Sequence, residues 1–336
     1  MVIDKNFYMN LALSEAWKYQ GLTYPNPAVG CAIAGKNGEI LAVEAHKKAG
    51  EPHAEVEALK IAYYKLTNDS KILKLTTSSQ IHTYLLENHD RCFEGISLFT
   101  TLEPCSHIGK TPSCATLLSK LKIKKLFVGS KDSNEEASGG NQIVKNANIE
   151  VENDILANEC NDLITPFNLW QKERFVFFKW AQRLNGTVDD GVISSNKSRT
   201  LVHAMRNRCD LLVIGGNSVR VDRPTLDARL VGGRAPDILI ISKSREFDKT
   251  IGLFGVKNRK VIISDNFSIL KDYKNIMIEG GGNMFELSKD IVDYYLCFLS
   301  PKIGGNIGFT GRDEKFDILN IQKDEQDIIM WMKRDK

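Results

Sequence analysis

Four residues that could bind or assist a metal lie at the starts of two predicted helices. His53 and Glu55 follow Pro52 at the start of one helix, and Cys105 and Cys114 lie before and within the start of another. One imidazole and two thiolates leave the fourth position of a tetrahedral zinc open for water, whose pKa falls to about 7. A carboxylate two residues after the histidine can move that water's proton. The four residues therefore predict hydrolytic zinc chemistry.

The spacing of the two cysteines is unusual. Eight residues separate Cys105 from Cys114, whereas the general zinc-deaminase signature, His-x-Glu followed by Pro-Cys-x-x-Cys, has two. Thr111 and Pro112 fit the N-cap and the first position of a helix, which places Cys114 in its first turn. The helix dipole there favours the thiolate that zinc requires. The long spacing is therefore compatible with a metal site.

These residues are also compatible with other roles. His53 could instead cap or pack, with both cysteines as ordinary core residues. A closed structural zinc site needs four protein ligands, and the sequence supplies three at sensible spacing. His82, His89 and Cys92 lie in a polar, irregular stretch, 67–96, where we expect a short helix near 81–86 but no second metal. The combination of residue types favours an open zinc site.

The composition of the 336-residue chain excludes several protein classes. It is 42% hydrophobic and 26% charged, unlike collagen-like, low-complexity or wholly disordered chains. A net charge of +3 does not demand a nucleic-acid-binding face. No apolar run approaches the ~20 residues of a membrane span, and the first residues lack a signal peptide's apolar core, so we expect a cytoplasmic protein. Seven cysteines without an export signal argue against disulfides.

Alternating strands and helices predict two α/β units, 1–150 and 174–336, joined by a helical connector, 151–173. In the first unit we expect helices from Asp4, at 52–65 and at 112–121, and strands at 28–34, 40–45, 98–102 and 125–129. In the second unit we expect helices at 198–208 and 284–290, and strands at 175–180, 210–214, 238–242, 260–264, 275–278 and 294–299.

Glycines and arginines of the second unit suit phosphate groups. Gly280–Gly282 lie between a predicted strand and a predicted helix, where they permit close backbone approach to a phosphate at the helix N-terminus. This is not the dinucleotide fingerprint, and a tight turn is the alternative. Arg220, Arg223, Arg229 and Arg234 follow a second glycine pair and suit phosphates or a solvated face.

Three segments of the first unit resemble the bifunctional deaminase–reductase family of riboflavin biosynthesis: Asn26–Cys31, Ala49–Val56 and Thr101–Cys114. The long spacing between the cysteines is this family's own pattern. The resemblance implies three zinc ligands and one proton shuttle, namely His53, Cys105, Cys114 and Glu55. It implies four substrate contacts, namely Asn26, His46, His107 and Lys110. Asn26 could hydrogen-bond to the edge of the pyrimidine, and the basic residues could bind the ribose phosphate. For His46 and Lys110, a solvated surface charge is the alternative.

Four segments of the second unit resemble the reductase domain of the same family: Lys179–Gly186, Ile214–Arg229, Glu279–Gly282 and Ser300–Gly305. That domain is similar in fold to dihydrofolate reductase and uses NADPH. The resemblance implies substrate positions at Lys179, Arg206, Leu226, Arg229 and Glu279. Of these, Lys179 is the candidate catalytic residue that would position or polarise the opened sugar. It implies NADPH positions at Ala181, Ser218, Asp222, Ser242, Gly281, Gly282, Asn283, Met284, Phe285, Glu286 and Leu287.

The first unit departs from the family pattern in length. About 50 residues separate Glu55 from Cys105, roughly twice the number that the family leads us to expect. The excess coincides with the polar stretch 67–96. Because the motifs on both sides are intact, we interpret it as a surface insertion that leaves the site undisturbed.

The second unit departs from the pattern near its first strand. The family usually shows Ser-Leu-Asp-Gly where this chain has Arg183-Leu-Asn-Gly186. The segment between Gly186 and Ile193 is also several residues short. The positions near Asp190 and Val192 therefore cannot be assigned from the resemblance.

Together these features predict a two-domain α/β enzyme, with a cytidine-deaminase-like α/β/α sandwich followed by a dihydrofolate-reductase-like domain. We expect zinc-dependent deamination of 2,5-diamino-6-ribosylamino-4(3H)-pyrimidinone 5′-phosphate, then NADPH-dependent reduction of its ribosylamino group to ribitylamino. We expect this phosphorylated pyrimidine as the partner, no nucleic acid or membrane, and a homo-oligomer. The alternatives are a zinc deaminase of another nucleobase or of RNA with a C-terminal half that only binds, and a structural zinc module in an interaction protein.

Overall fold

The computed structural model describes residues 4–106, 111–132, 138–189 and 191–335. It divides into two compact units, Met1–Asn168 and Leu169–Lys336, and the boundary lies within the helix that the sequence predicts as a connector. Across the described residues, no helix combines the length and the apolar character that a membrane span requires.

The first unit is built on one five-stranded sheet. Its helices are α1 (Lys5–Trp17), α2 (Ala54–Thr67), α3 (Ser78–Asn88), α4 (Cys114–Leu121) and α5 (Gly140–Asn146). Its strands are β1 (Gly30–Ala34), β2 (Ile40–Ala45), β3 (Ser97–Leu102), β4 (Lys125–Ser130) and β5 (Glu150–Glu152). The strand order is β2-β1-β3-β4-β5, with β1 antiparallel to β2 and β3 and with β3, β4 and β5 parallel.

The central strands β1 and β3 are buried along their whole length, as expected where helices cover both faces of a sheet. Cys31 and Ile33 belong to the core that contains α2 and α4. On the opposite face Phe99 stacks against Tyr8 of α1, with 4.9 Å between the ring centroids. Gly30 allows α1 to approach, because a Cβ atom there would lie 1.9 Å from a carbonyl oxygen of that helix. The sheet therefore fixes the starts of α2 and α4, where the predicted ligands lie.

The stretch 67–96 is structured: the predicted short helix near 81–86 is present within α3, but the expectation that the rest is irregular and lies on the surface is wrong. It contains a 3-10 helix, Ser70–Lys74, and then α3, which begins with a capping box between Thr77 and Gln80. Four of its side chains are fully buried in the core shared with α2 and α4, namely Ile72, Ile81, Leu85 and Phe93. The polar composition obscured these apolar positions, of which only Ile81 and Leu85 lie at helical spacing on α3.

The second unit contains an eight-stranded sheet. Its helices are α6 (Ala157–Lys172), which begins in the first unit, α7 (Asn196–Arg206), α8 (Gly216–Asp222) and α9 (Gly282–Ser288). Its strands are β6 (Phe175–Arg183), β7 (Leu211–Gly215), β8 (Asp237–Ile241), β9 (Val261–Ser264), β10 (Asn275–Glu279), β11 (Tyr294–Ser300), β12 (Phe316–Asp324) and β13 (Asp327–Arg334). The order is β12-β13-β11-β6-β10-β7-β8-β9, in which β11 through β9 run parallel and the β12–β13 hairpin adds antiparallel to β11.

The six strands that the sequence predicts for this unit are all present, but the final hairpin was missed. Strand β12 lies at the edge of the sheet, and its burial pattern is largely exposed or partial. Charged and amide side chains interrupt its apolar residues, so neither strict alternation nor a continuous apolar run marks it. The short helices α5 and α8 were missed as well.

Candidate active sites

The starts of two helices bring the three predicted zinc ligands together. His53 is the N-cap of α2 with extended backbone, but its side chain makes no capping hydrogen bond, so the capping alternative is wrong. The N-cap of α4 is Ser113, whose hydroxyl accepts from the Thr116 N–H, and not Thr111. Cys114 is therefore the first residue of α4 and not the third. It still lies at the positive end of the helix dipole.

The distances among the three ligand atoms fit a tetrahedral zinc site. His53 Nδ1 lies 3.7 Å from Cys105 Sγ and 3.5 Å from Cys114 Sγ. All three atoms lie within 4.8 Å of one another, and no other such group occurs in the described part of the chain. Zinc bonds of about 2.0 Å to nitrogen and 2.3 Å to sulfur in tetrahedral geometry place the two atoms about 3.5 Å apart. The donor set therefore fits zinc with one position left for water.

The two thiols are electrostatically coupled. A hydrogen bond from Cys114 lowers the pKa of Cys105, and the same interaction raises the pKa of Cys114, so the pair readily carries one negative charge. The backbone N–H of Cys114 also donates to Cys105 Sγ, at 3.4 Å. This half-buried charge is the feature that a cation at the site would neutralise.

Glu55 lies in the first turn of α2 and is buried. Burial raises the pKa of its carboxyl group to about 7, against the opposing effect of the His53 charge. A carboxyl group with such a pKa can accept and return a proton near neutral pH. Its place two residues after His53 matches the predicted proton shuttle.

A chain of hydrogen bonds links Asn26 to the start of α2. His46 Nδ1 lies 3.0 Å from the Pro52 carbonyl oxygen, to which it donates, and its Nε2 lies 3.1 Å from the Asn26 Nδ2. The His46 ring meets the His53 ring edge-on, with 5.5 Å between centroids. Burial lowers the pKa of His46 to about 4, so the alternative of a solvated surface charge is wrong for His46. His46 orients Asn26 as a neutral acceptor, which sequence reasoning did not foresee.

Two predicted substrate contacts, His107 and Lys110, lie outside the described residues. A residue that sequence reasoning discounted is close to the site instead. His82 is buried on α3, which packs against both α2 and α4, and burial lowers its pKa to about 4 while the Cys105 charge raises it. His82 does not belong to the cluster of possible ligands found among the described residues.

The second site is a cavity of about 640 Å³ at the carboxyl ends of β6 and β10. All five predicted substrate positions line it, namely Lys179, Arg206, Leu226, Arg229 and Glu279. Four predicted cofactor positions also line it, namely Ala181, Ser218, Asp222 and Gly281. The other cofactor positions do not line it, namely Ser242, Gly282, Asn283, Met284, Phe285, Glu286 and Leu287. Phe285 is fully buried among aromatic rings, so its side chain belongs to the core.

An ion network forms one wall of this cavity. Arg206 donates from Nε and Nη2 to the two carboxylate oxygens of Glu279, at 2.8 and 2.9 Å. Lys179 Nζ lies 3.8 Å from Glu279 Oε2. Burial alone would raise the pKa of Glu279, but Arg206 and Lys179 lower it to about 2, and burial lowers the pKa of Lys179. The parallel register of β10 and β6, which pairs Glu279 with Lys179, creates this contact.

The segment that departs from the family pattern borders the same cavity. The Arg183 side chain is buried and donates from Nη1 to the carbonyl oxygen of Asp189, which lines the cavity. Asn185 donates from Nδ2 to the Gly304 carbonyl oxygen at 3.0 Å. Both substituted residues therefore hold loop backbone in place, and Asp190 lies outside the described residues.

Comparison with known proteins matches each site to a family. Residues 3–130 match the cytidine and deoxycytidylate deaminase zinc-binding region, and residues 174–330 match the RibD C-terminal domain. The riboflavin biosynthesis protein RibD of Aquifex aeolicus (strain VF5) is 31% identical, and the alignment covers 99% of both chains. The chain belongs to the RibD family.

Solved structures agree with this membership. The chain is similar to a diaminohydroxyphosphoribosylaminopyrimidine deaminase/5-amino-6-(5-phosphoribosylamino)uracil reductase from Thermotoga maritima, with a TM-score of 0.65, 27% identity and 98% of each chain covered. RibD from Acinetobacter baumannii shares the fold, with a TM-score of 0.61, 23% identity and 99% of each chain covered.

These matches confirm the predicted family, the fold class of a deaminase-like domain followed by a reductase-like domain, and the class of bifunctional enzyme. Zinc and NADPH are the cofactors of the two domains in this family.

Proposed function

We propose that the chain catalyses two successive reactions on one phosphorylated pyrimidine. The N-terminal domain deaminates 2,5-diamino-6-ribosylamino-4(3H)-pyrimidinone 5′-phosphate, and the C-terminal domain reduces the ribosylamino group of the product to ribitylamino. The observation that carries the proposal is that each unit holds a complete set of polar groups. These are the three ligand atoms with Glu55 in one, and the Lys179–Glu279–Arg206 network in the other.

In the first reaction, the chain's own groups position the substrate and move the proton. His53, Cys105 and Cys114 hold zinc, which when bound makes a water molecule acidic enough to attack near neutral pH. Glu55 accepts the proton of the attacking water and passes it to the departing ammonia, for which its raised pKa is suited. Asn26, oriented by His46, presents its amide to the pyrimidine edge.

In the second reaction, the cavity of the C-terminal unit would hold NADPH, which when bound would supply a hydride to the sugar carbon that is bonded to nitrogen, while a proton would add to the nitrogen. Lys179 reaches the cavity from β6, and Glu279 with Arg206 fixes its ammonium group. We assign Lys179 to position and polarise the opened sugar. A C-terminal half that only binds would not need a buried lysine held in this way, which disfavours the alternative of a non-catalytic domain.

The test separates the two reactions on one protein sample. Wild-type protein should carry about one zinc per chain, release ammonia from the diamino substrate and oxidise NADPH only after that release. After zinc removal, ammonia release should stop, while the separately supplied deaminated compound should still oxidise NADPH. Ammonia release without zinc, or NADPH oxidation without the deaminated compound, would contradict the proposal.

Three further properties belong to this proposal. We place the protein in the cytoplasm, because all seven cysteines are free, as a reducing compartment allows. We propose a free phosphorylated pyrimidine and no nucleic acid as the partner, since the net charge is only +3.

We also propose a homo-oligomer, for which the exposed Ile318 and Ile321 on the edge strand β12 offer an apolar contact. Light scattering of the purified protein tests this last property.

A further inference from the structure

One wall of the cavity in the second unit is a short loop after α8, residues 224–227, which we call the cavity loop. Pro224, Thr225 and Leu226 line the cavity. Leu226 is buried and has a φ of 53°, a left-handed backbone conformation that a residue with a Cβ atom rarely adopts. Because this conformation is disfavoured in an isolated chain, other contacts must hold the cavity loop in place.

Arg259 makes such contacts from outside the cavity. It is half-buried in the turn before β9 and does not line the cavity itself. Its Nη1 donates to the Leu226 carbonyl oxygen at 2.7 Å, and its Nη2 donates to the carbonyl oxygens of Thr225 and Leu253 at 2.7 and 2.6 Å. Burial lowers the pKa of Arg259 to about 10, so the guanidinium stays charged at neutral pH and these hydrogen bonds are charge-assisted.

Two further contacts complete the attachment of the cavity loop. The Leu253 N–H donates to the Pro224 carbonyl oxygen at 2.9 Å. Arg206 Nη1 lies 3.5 Å from the Asp227 carbonyl oxygen. Every carbonyl group of the cavity loop therefore faces a donor, and Arg259 supplies the donors for the two central ones.

This arrangement leaves a backbone donor of the cavity loop free for a ligand. In a planar trans peptide the C=O and the N–H point in opposite directions. The Thr225 carbonyl points to Arg259, which lies outside the cavity, so the Leu226 N–H of the same peptide points away from Arg259. Within the described residues the Leu226 N–H has no acceptor. It is therefore available to an acceptor oxygen of a molecule in the cavity.

We propose that Arg259 is a positioning residue for the reductase reaction. It binds the carbonyl groups of Thr225 and Leu226, and it thereby keeps the cavity loop in the conformation that presents the Leu226 N–H to the substrate. The proposal rests on the proposed function of this cavity, and it concerns a residue outside the segments that resemble the family. Arg259 acts through the cavity loop and not by direct contact with the substrate.

The first test compares reduction of the deaminated substrate by full-length wild type, Arg259→Met and Arg259→Lys. A left-handed backbone is disfavoured about 5- to 30-fold at a residue with a Cβ atom, so the binding-competent fraction should fall by that factor without Arg259. Arg259→Met should therefore raise KM about 5- to 30-fold. The change in kcat should be smaller, because saturating substrate selects the competent loop. Arg259→Lys keeps the charge without the fork of donors and should recover part of the loss.

Lys257→Met is the matched control, because it removes an exposed cation two residues away that does not line the cavity. It should keep the wild-type KM. Ammonia release and NADPH affinity should stay near wild type in all variants, which verifies that they are folded. An unchanged KM in Arg259→Met overturns the proposal, and so does a lower kcat at an unchanged KM. A loss of NADPH affinity equal to the rise in KM overturns it as well, since the cavity loop would then serve the cofactor.

Hydrogen–deuterium exchange separates this inference from the proposed function, because it needs no substrate. The Leu253 N–H, which donates to the Pro224 carbonyl oxygen, reports on the attachment of the cavity loop. Its exchange should be about 5- to 30-fold faster in Arg259→Met and unchanged in Lys257→Met. Unchanged exchange in Arg259→Met overturns the proposal. If wild-type protein does not reduce the deaminated compound, the proposed function fails, while the exchange result still decides whether Arg259 holds the cavity loop.

Discussion

In the N-terminal unit one imidazole and two thiols converge around a position that a metal ion would fill, whereas in the C-terminal unit the Glu279 carboxylate lies between Arg206 and Lys179. The first site is complete only when a cation is supplied from outside. In the second site three charged side chains hold one another in place, so this site is preorganised by the fold alone. The difference predicts that metal removal and ligand substitutions affect only the first reaction, and that substitutions in the ion network affect only the second.

The largest effect is expected from Cys114→Ser. A neutral hydroxyl replaces a thiolate ligand, so zinc content and deamination should fall together to background, while the reductase reaction remains. Metal analysis and ammonia release measure the two losses. Cys31→Ala and Cys297→Ala are the controls, because these buried cysteines lie outside the ligand cluster. Zinc loss in either control, with zinc retained in Cys114→Ser, would show that the ligand set is wrong.

The next effect separates metal binding from proton transfer. Glu55 is buried beside the ligands but does not belong to the cluster, so Glu55→Gln should keep zinc near the wild-type content. Deamination should fall by about 100-fold or more, which is the usual contribution of a general acid–base group. Zinc analysis and the initial rate of ammonia release test both statements. Loss of metal in this variant would show that Glu55 is itself a zinc ligand.

The matching substitution in the second unit is Lys179→Ala. Because Lys179 is assigned to the sugar, reduction should fall by about 100- to 1000-fold, while NADPH affinity and deamination stay near wild type. Fluorescence titration measures the cofactor, and absorbance measures its oxidation. The control Lys315→Ala removes an exposed lysine that pairs with Asp335 and does not line the cavity. This variant should reduce the deaminated substrate at the wild-type rate. A wild-type rate in Lys179→Ala would break the assignment.

The two sites also differ in how far the sequence revealed them. The zinc cluster could be predicted because His53, Glu55, Cys105 and Cys114 lie in short sequence motifs. His53, Glu55 and Cys114 lie at helix starts, and Cys105 lies in the loop between β3 and α4. The detailed cap of α4 was wrong, since Ser113 competes with Thr111 for the N-cap and only packing decides between them.

The ion network of the second unit could not be derived from spacing. Lys179 and Glu279 are paired in register on neighbouring parallel strands, yet they are 100 positions apart in the chain. Only the family resemblance named both residues, and it gave no contact between them.

The stretch 67–96 was misread because its average polarity hides a few apolar positions. Leu85 is fully buried on α3, whereas the neighbouring Leu86 is 37% exposed. In an irregular surface insertion both leucines would be exposed, whereas a helix that packs on the core buries one and leaves its neighbour exposed. Because α3 packs against α2 and α4, which carry metal ligands, this segment should support the first site and not the second.

The smallest expected effects therefore come from Leu85→Ala and its control Leu86→Ala. Truncating the buried leucine should lower the free energy of unfolding of the first unit by about 2–5 kcal/mol. Truncating the exposed leucine should change it by about 0.5 kcal/mol or less. Urea unfolding followed by loss of ammonia release and by zinc release measures both, with NADPH oxidation as the probe of the second unit. If both substitutions changed the free energy of unfolding by equal and small amounts, the surface-insertion interpretation would be restored. If the reductase unit lost as much stability as the first unit, the two units would not unfold independently.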